Sequence, residues 1–283
     1  MIINLDKTST KEDVGNKAYN LMLLKKYNYN VPNGIVISSK YTNTLIKNIK
    51  EKVLKNLNDQ IMSNKKNFEK FIKEINNDFN KLKLDEELIK DIKNQLTKNK
   101  TKKFVVRSST NFEDSKNFSF AGQFDSFLNV KIEELEKYIL KCIKSTFSRR
   151  MLKYTFLNKI KLDNISISVI IQEMIIGKYS GIAFSKNPIN NNENEIIIDI
   201  GPGLCNNYVS GKKNPNTYIL KKNENIKTCL SIENKIKNED EILKTIKKNI
   251  LEIEKKFENF IDIEFTFDKE NNFFILQARP ITN

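Results

Sequence analysis

Between Ile261 and Phe267 the chain alternates without a break. Ile261, Ile263, Phe265 and Phe267 fall on one side, and Asp262, Glu264 and Thr266 on the other. Successive strand side chains point to opposite faces, so this stretch has to be a strand with one buried and one polar face. The apolar-rich residues 273–278 follow after a short polar stretch, which predicts a hairpin closed by a four-residue loop, 269–272, with Asp268 opposite Phe273. That register sets Ile263 opposite Ala278, Phe265 opposite Leu276 and Phe267 opposite Phe274. On the other face it sets Glu264 opposite Gln277 and Asp262 opposite Arg279.

Two readings of the polar face follow. A carboxylate, an amide oxygen and a guanidinium on one dry-backed face suit a Mg-phosphate site, because Mg²⁺ takes one or two protein oxygens plus phosphate oxygens and Arg clamps phosphate in a fork. The plainer reading is a wet amphipathic hairpin whose Asp262–Arg279 pair is a surface ion pair of little worth. The hairpin alone does not choose between them.

Upstream, a short strand over residues 2–5 precedes a helix over 14–27 with Asp13 as its cap. Residues 31–34 read as a turn and 34–37 as a strand. Residues 39–100 are helical almost throughout, with Leu45, Ile49, Val53 and Leu57, then Phe68, Phe71, Ile72, Ile75 and Phe79 at helical spacing. Residues 104–106 read as a buried strand, 107–123 as a polar loop, 127–130 as a strand, and 135–147 as a helix. The second half is richer in strands, at 166–174, 180–185, 195–199 and 217–220, then a helix at 239–257 and the hairpin. This order predicts an α+β chain of two lobes, 1–163 and 164–283.

The 283 residues carry 49 Lys+Arg against 35 Asp+Glu, a formal charge of +14. The lysines alternate with acids along helical stretches and lack interleaved aromatics, so a solvated surface is expected rather than a nucleic-acid face. Cys142, Cys205 and Cys229 are far apart and have no CxxC spacing, which suits a reducing compartment. Residues 1–13 show no basic-then-apolar leader, and no apolar run reaches the length of a membrane span. A soluble cytoplasmic protein with no membrane partner is expected.

Four ordered blocks then carry a resemblance. They are Val14-Gly-Asn-Lys-Ala-Tyr-Asn-Leu21 with Val31-Pro-Asn-Gly-Ile-Val-Ile37; Val106-Arg-Ser-Ser-Thr-Asn-Phe-Glu-Asp114 running to Ser119-Phe-Ala-Gly-Gln-Phe-Asp-Ser126; Val169-Ile-Ile-Gln-Glu-Met174 with Ser180-Gly-Ile-Ala-Phe-Ser185; and Asp262-Ile-Glu264 with Ile275-Leu-Gln-Ala-Arg-Pro-Ile-Thr282. They resemble VGGKGANL, VRSSATAED, SFAGQxDT, DIEW and LQARPIT of the ATP-binding domain of phosphoenolpyruvate synthase, pyruvate phosphate dikinase and rifampin phosphotransferase. The resemblance spans residue 14 to the end of the sequence. It implies an ATP-grasp-type, two-lobed fold with ATP between the lobes and Mg²⁺ as cofactor. It implies that Lys17 and Arg107 hold phosphates, with Gly122 and Ser126 on a loop over them. Gln172 would contact the nucleotide, and Glu173 and Met174 would border the adenine. Glu264 and Gln277 would hold Mg²⁺, and Arg279 would stabilise the phosphoryl group in flight; Arg279, Arg107 and Lys17 form the catalytic set.

Each residue has a plainer reading. Lys17 reads equally as a surface lysine, Gln172 as a satisfied buried amide, and Glu173 as solvent-facing. Two segments depart from the pattern. Gly15-Asn-Lys-Ala18 lacks two of the family's glycines, and Pro202-Gly-Leu-Cys-Asn206 lacks a glycine and a carboxylate of WGLGE. The sequence contains no histidine, so these residues cannot be their own phosphohistidine carrier. The expectation is a phosphotransferase half-enzyme without the swivelling phosphohistidine domain. It would pass the terminal phosphates of ATP to a histidine on a separate protein, or to another acceptor, and release AMP. The alternative is a nucleotide-binding module that acts through a partner without turnover.

Overall fold

The computed structural model describes residues 1–97, 102–112, 125–209, 211–224 and 227–281. The elements in chain order are β1 (Ile2–Asn4), α1 (Lys11–Lys26), β2 (Gly34–Ile37), α2 (Ser39–Leu45), α3 (Lys47–Asn56), α4 (Asp59–Ser63), α5 (Lys65–Phe79), α6 (Glu86–Leu96), β3 (Lys103–Thr110), β4 (Ser126–Lys131), α7 (Leu135–Ser145), α8 (Arg149–Leu157), β5 (Ile167–Glu173), β6 (Tyr179–Phe184), β7 (Glu195–Pro202), α9 (Asn206–Val209), β8 (Asn216–Lys221), β9 (Lys227–Ser231), α10 (Glu239–Phe257), β10 (Ile261–Phe267) and β11 (Phe273–Pro280). The chain is α+β, as its pattern predicts, with a run of helices over 39–96.

The chain divides into two compact units. The first holds Met1–Met22 and Asn33–Met174, the second Leu23–Pro32 and Ile175–Asn283. The division falls after Met174 rather than at 163/164. The reason is β5, which reads as the opening of a strand-rich second half but pairs with both β2 and β3 in the middle of the first sheet.

That first sheet runs β1-β2-β5-β3-β4, every neighbour antiparallel. Ile35 and Ile37 of β2, Phe104 and Val106 of β3, and Ile167, Val169 and Ile171 of β5 point to one face. They pack there with Val53, Phe68, Ile75, Leu88, Ile92, Ile139 and other buried residues of α3 and α5–α7. Burying such side chains contributes about 1.5–3 kcal/mol each, so this face holds the unit together. The expected loop over 107–123 is a strand as far as Thr110, where Arg107 to Thr110 pair with Ile170 to Ile167. Ser, Ser and Thr in sequence look like loop composition, but pairing to β5 satisfies their backbone groups and Ser108, Ser109 and Thr110 are fully buried.

Helix α1 begins earlier than expected. Thr10 caps it, accepting from the Asp13 N–H at 3.3 Å, while its own hydroxyl donates to the Asp13 carboxylate at 3.3 Å. Asp13 is thus the third helical residue of a reciprocal cap rather than the cap itself. At Gly15 the backbone leaves the helix, with φ 74° and ψ 166°.

The second unit is a six-stranded antiparallel sheet, β11-β10-β6-β7-β8-β9. Its apolar face carries Ile261, Ile263 and Phe265 of β10, Ala183 of β6, Ile196, Ile198 and Ile200 of β7, and Tyr218 of β8, all at most 1% exposed. Helix α10 supplies the matching stripe, Ile242, Leu243, Ile246, Ile250 and Ile253, at helical spacing. Acids in its first turn and Lys255 and Lys256 in its last complement the helix dipole.

The hairpin register agrees with expectation from Asp262↔Arg279 to Glu264↔Gln277, then shifts. Phe265 pairs with Ile275 and Phe267 with Phe273, because Leu276 is an extra, bulged residue. The cause lies in the turn. Asp268 accepts from the N–H groups of Glu270 and Asn272 and from the Asn272 side chain, and its own N–H donates to the Asn272 carbonyl. Those bonds pair Asp268 with Asn272 and close a three-residue loop, 269–271, one residue shorter than expected, and the bulge restores the phase needed farther along. Ile275 is therefore in the core and Leu276 half-buried, the reverse of the expected placement.

A polar knot closes one end of β7. The Glu195 carboxylate accepts from Lys221 at 2.7 Å, Asn187 at 2.7 Å and Asn190 at 3.3 Å. Lys221 and then Asn187 hold its pKa down at about 2. The folded pKa lies below the unfolded one, so this stabilisation is complete above about pH 4.5 and is lost as pH falls toward 2. Glu195→Gln should cost about 2 kcal/mol at neutral pH, with the gap to wild type about halved by pH 3 and closing only toward pH 2. Urea unfolding across these pH values measures this, and a gap that does not shrink with acid would refute it.

Candidate active site

In the first unit the N-terminal part of α1 lies across the face of the sheet that turns away from the apolar core. Ser109 on β3 donates no side chain to the core; its hydroxyl instead accepts from the Ala18 N–H at 3.0 Å. Ser168 on β5 bonds the Val14 carbonyl with its hydroxyl. A methyl at Gly15 would lie 2.4 Å from the Ser109 Oγ and 2.5 Å from its backbone carbon, and φ is positive there, so glycine is required on two counts. Ala18, by contrast, is helical and buried, so the missing family glycine at that position brings no backbone strain.

This arrangement fixes Lys17. It is 5% exposed, and its Nζ donates to the Ser108 carbonyl at 3.1 Å, so the surface-lysine reading fails. Arg107 pairs across the sheet with Ser126 on one side and Ile170 on the other. Alternation along β3 and β5 puts Arg107, Ser126 and Gln172 on the same side as Ser109, opposite the core. Arg107 is half-buried, Ser126 exposed, and Gln172 3% exposed. Gly34 makes room for Gln172: a methyl at residue 34 would lie 2.8 Å from the Gln172 Cγ.

The structure thus gathers Lys17, Arg107, Ser126 and Gln172 on one face. Glu173 pairs with Phe104 and so belongs to the opposite side, half-buried. Met174 is buried beyond the strand end, where its sulfur accepts from the Asn129 N–H at 3.2 Å. Gly122 lies outside the described residues.

In the second unit Glu264 and Gln277 are direct cross-strand partners on the polar face of the sheet. Their Cβ atoms are then about 5 Å apart, within reach of one ion. One pair along, the Arg279 Nε donates to both Asp262 oxygens, at 2.9 and 2.7 Å. Asp262 is only 6% exposed, so this is not the wet surface pair of the plainer reading. A carboxylate and an amide oxygen side by side fit Mg²⁺ that takes its remaining ligands from phosphate and water. Among the described residues no group of three or more His, Cys, Asp or Glu forms a metal cage, which a phosphate-shared ion does not need.

The same face carries a carboxylate that motif reading does not single out. The row runs Gln277, Glu264, Ile182, Asp199, Thr217 across five strands. Thr217 donates to the Asp199 Oδ1 at 2.6 Å, and burial pushes the Asp199 pKa up against that bond. The available signal was an acid inside the run Ile196-Ile-Ile-Asp-Ile200, at the phase opposite Ile196, Ile198 and Ile200.

Comparison with known proteins agrees with these motifs. Residues 11–283 match the family model described as pyruvate phosphate dikinase, AMP/ATP-binding domain. The chain is 32% identical over 204 residues to the probable phosphoenolpyruvate synthase of Methanocaldococcus jannaschii, covering 63% of this chain and 17% of that protein. It is 28% identical over 297 residues to the uncharacterized phosphotransferase YvkC of Bacillus subtilis, covering 95% of this chain and 33% of that protein. It is 36% identical over 129 residues to the rifampicin phosphotransferase of Bacillus cereus, covering 45% and 15%. The chain therefore spans a third or less of the length of these relatives. The D-alanine–D-alanine ligase of Helicobacter pylori aligns at 14% identity and a TM-score of 0.34, over 70% of this chain and 47% of that one, too distant to carry an argument. With nearly the whole chain inside one family model and its motifs in order, the chain belongs to the pyruvate phosphate dikinase AMP/ATP-binding domain family.

Proposed function

We propose that this chain binds Mg-ATP as the ATP-grasp-type part of a phosphotransferase. The observation that carries the reading is the pairing of Glu264 with Gln277 beside an Arg279 oriented by the buried Asp262. Lys17, Arg107, Ser126 and Gln172 of the first unit supply the cationic and polar groups that phosphates and a nucleotide require. Glu264 and Gln277 would hold Mg²⁺, which would draw charge from the phosphate oxygens.

In the reaction, an acceptor nucleophile attacks the β-phosphorus of ATP. The bond from that phosphorus to the oxygen bridging to the α-phosphate breaks, and AMP leaves with the oxygen. The terminal phosphates pass to the acceptor, a histidine on a separate protein or another group. Such transfer needs positioning and charge stabilisation more than covalent help from the protein. Arg279 stabilises the charge that develops, while Lys17 and Arg107 orient the phosphates. Cys142, Cys205 and Cys229 form no disulfide, which fits a cytoplasmic setting. No helix among the described residues is long and apolar enough to cross a membrane.

Thermal unfolding tests the binding step. Mg-ATP at about a hundred times its dissociation constant stabilises by about 2.7 kcal/mol, or about 5 °C for a chain of this size. GTP should shift the transition less. No shift at millimolar Mg-ATP would refute the proposal. A second reading, a nucleotide-binding module without turnover, is favoured by Asn206 standing where the family pattern has a carboxylate. Following AMP formation with a histidine-bearing acceptor protein separates the two.

A further inference from the structure

The polar face of the second sheet holds an unexplained acid. Asp199 sits in mid-sheet on β7, two strands from Glu264, with Ile182 between them and Ile197 two residues back on the same face. Its Oδ1 is held by the Thr217 hydroxyl. Among the described residues the Thr217 hydroxyl is the carboxylate's one hydrogen-bond partner, and the side chain is only half-buried, which leaves Oδ2 open to a ligand. One hydroxyl does not offset the cost of removing a carboxylate from water, and burial raises its pKa. A strand whose other residues here are isoleucines would be more stable with an apolar residue at 199.

We propose that Asp199 is a specificity-determining residue that accepts a hydrogen bond from a ribose hydroxyl of the bound nucleotide, an inference that rests on the Mg-ATP reading above. The spacing decides against the other roles. Adjacent strands lie about 4.8 Å apart, so Asp199 and Glu264 originate about 10 Å from each other. Two carboxylates sharing one Mg²⁺ would each have an oxygen about 2.1 Å from it, which at this separation would require both side chains to lean toward each other over Ile182, whereas Gln277 stands directly beside Glu264. A carboxylate also repels phosphate oxygens, so the triphosphate itself is not its partner. What remains within reach, one nucleotide-segment along from a metal-bound phosphate, is the sugar, whose hydroxyls donate to a carboxylate acceptor. The same carboxylate-to-ribose recognition recurs where other folds read nucleosides.

The test compares ATP with its 2′-deoxy and 3′-deoxy analogues, using dissociation constants at saturating Mg²⁺ by calorimetry. Wild type should bind at least one deoxy analogue about ten- to a hundredfold more weakly than ATP, the usual worth of a hydrogen bond to a charged group. Asp199→Asn, which keeps the shape and the Thr217 bond, should weaken ATP by about the same factor and erase the discrimination. Gln277→Ala should weaken all three nucleotides alike. Discrimination that survives in Asp199→Asn would overturn the inference and leave the Mg-ATP reading standing. So would a changed Mg²⁺ dependence in Asp199→Asn with discrimination intact, since that marks a metal ligand. Failure of wild type to bind ATP at all would remove the Mg-ATP reading and this inference with it.

Discussion

Arg279→Ala should lower acceptor-stimulated turnover by about a thousandfold while weakening Mg-ATP binding by no more than about threefold. The side chain does not wander: its Nε is tied to both oxygens of Asp262, and Asp262 is itself nearly sealed from water. A guanidinium held in place before the reaction spends nothing on reorganisation when charge develops, which is how a single donor comes to contribute about 3–4 kcal/mol to a transition state. Because the gain is specific to the transition state, kcat should fall and Kd should barely move. Arg279→Lys should restore little, since an ammonium cannot keep two Asp262 bonds and a phosphate bond in the same geometry. Asp262→Asn should give an intermediate loss by loosening the anchor. Wild-type turnover in Arg279→Ala would show that this arginine is only a structural partner of Asp262.

Glu264→Ala should have the opposite signature, abolishing the Mg²⁺-dependent part of ATP binding. Glu264 faces away from the apolar side of β10 and is half-buried, so its removal leaves the core formed by Ile261, Ile263 and Phe265 in place. What disappears is the carboxylate next to the Gln277 amide. Magnesium binds through few protein ligands and tolerates little distortion, so losing one should weaken Mg-ATP by about a hundredfold or more. Glu264→Asp should recover little, because the carboxylate retreats by about 1.5 Å, the length of one methylene bond, from an ion with about 2.1 Å bonds. The measurement is the Mg-ATP shift in unfolding temperature across a magnesium titration, with the apo transition as the control for folding. A Glu264→Ala protein that keeps the full shift would refute the metal assignment.

Much of the architecture is legible from pattern alone, for identifiable reasons. Where one face of an element is buried and the other wet, the period of the sequence is the period of the structure. The 239–257 helix and the strand 216–221 follow that rule, and strand 261–267 keeps the same two-residue alternation of apolar and polar side chains although both of its faces are largely buried. The rule fails where polar residues are buried by pairing. Ser108, Ser109 and Thr110 are strand residues that resemble a loop, because β5 and α1 satisfy their hydrogen bonds from far along the chain. Asp199 is missed for a related cause: no motif marks it, and only the strand order places it in a row with Glu264 and Gln277.

By itself the sequence determined the family, the α+β class and the local pairing of Glu264 with Gln277 and Asp262 with Arg279. Those features depend on residue order and on the two-residue period of a strand, which operate over short distances. The tertiary structure decided the rest. Burial removed the surface-lysine reading of Lys17, which is 5% exposed, and the central position of β5 moved the division of the chain to Met174. The bonds of Asp268 bulged the hairpin at Leu276. Each outcome depends on which distant strand or turn supplies a partner, and that choice is made by the packing of the whole unit rather than by any window of sequence.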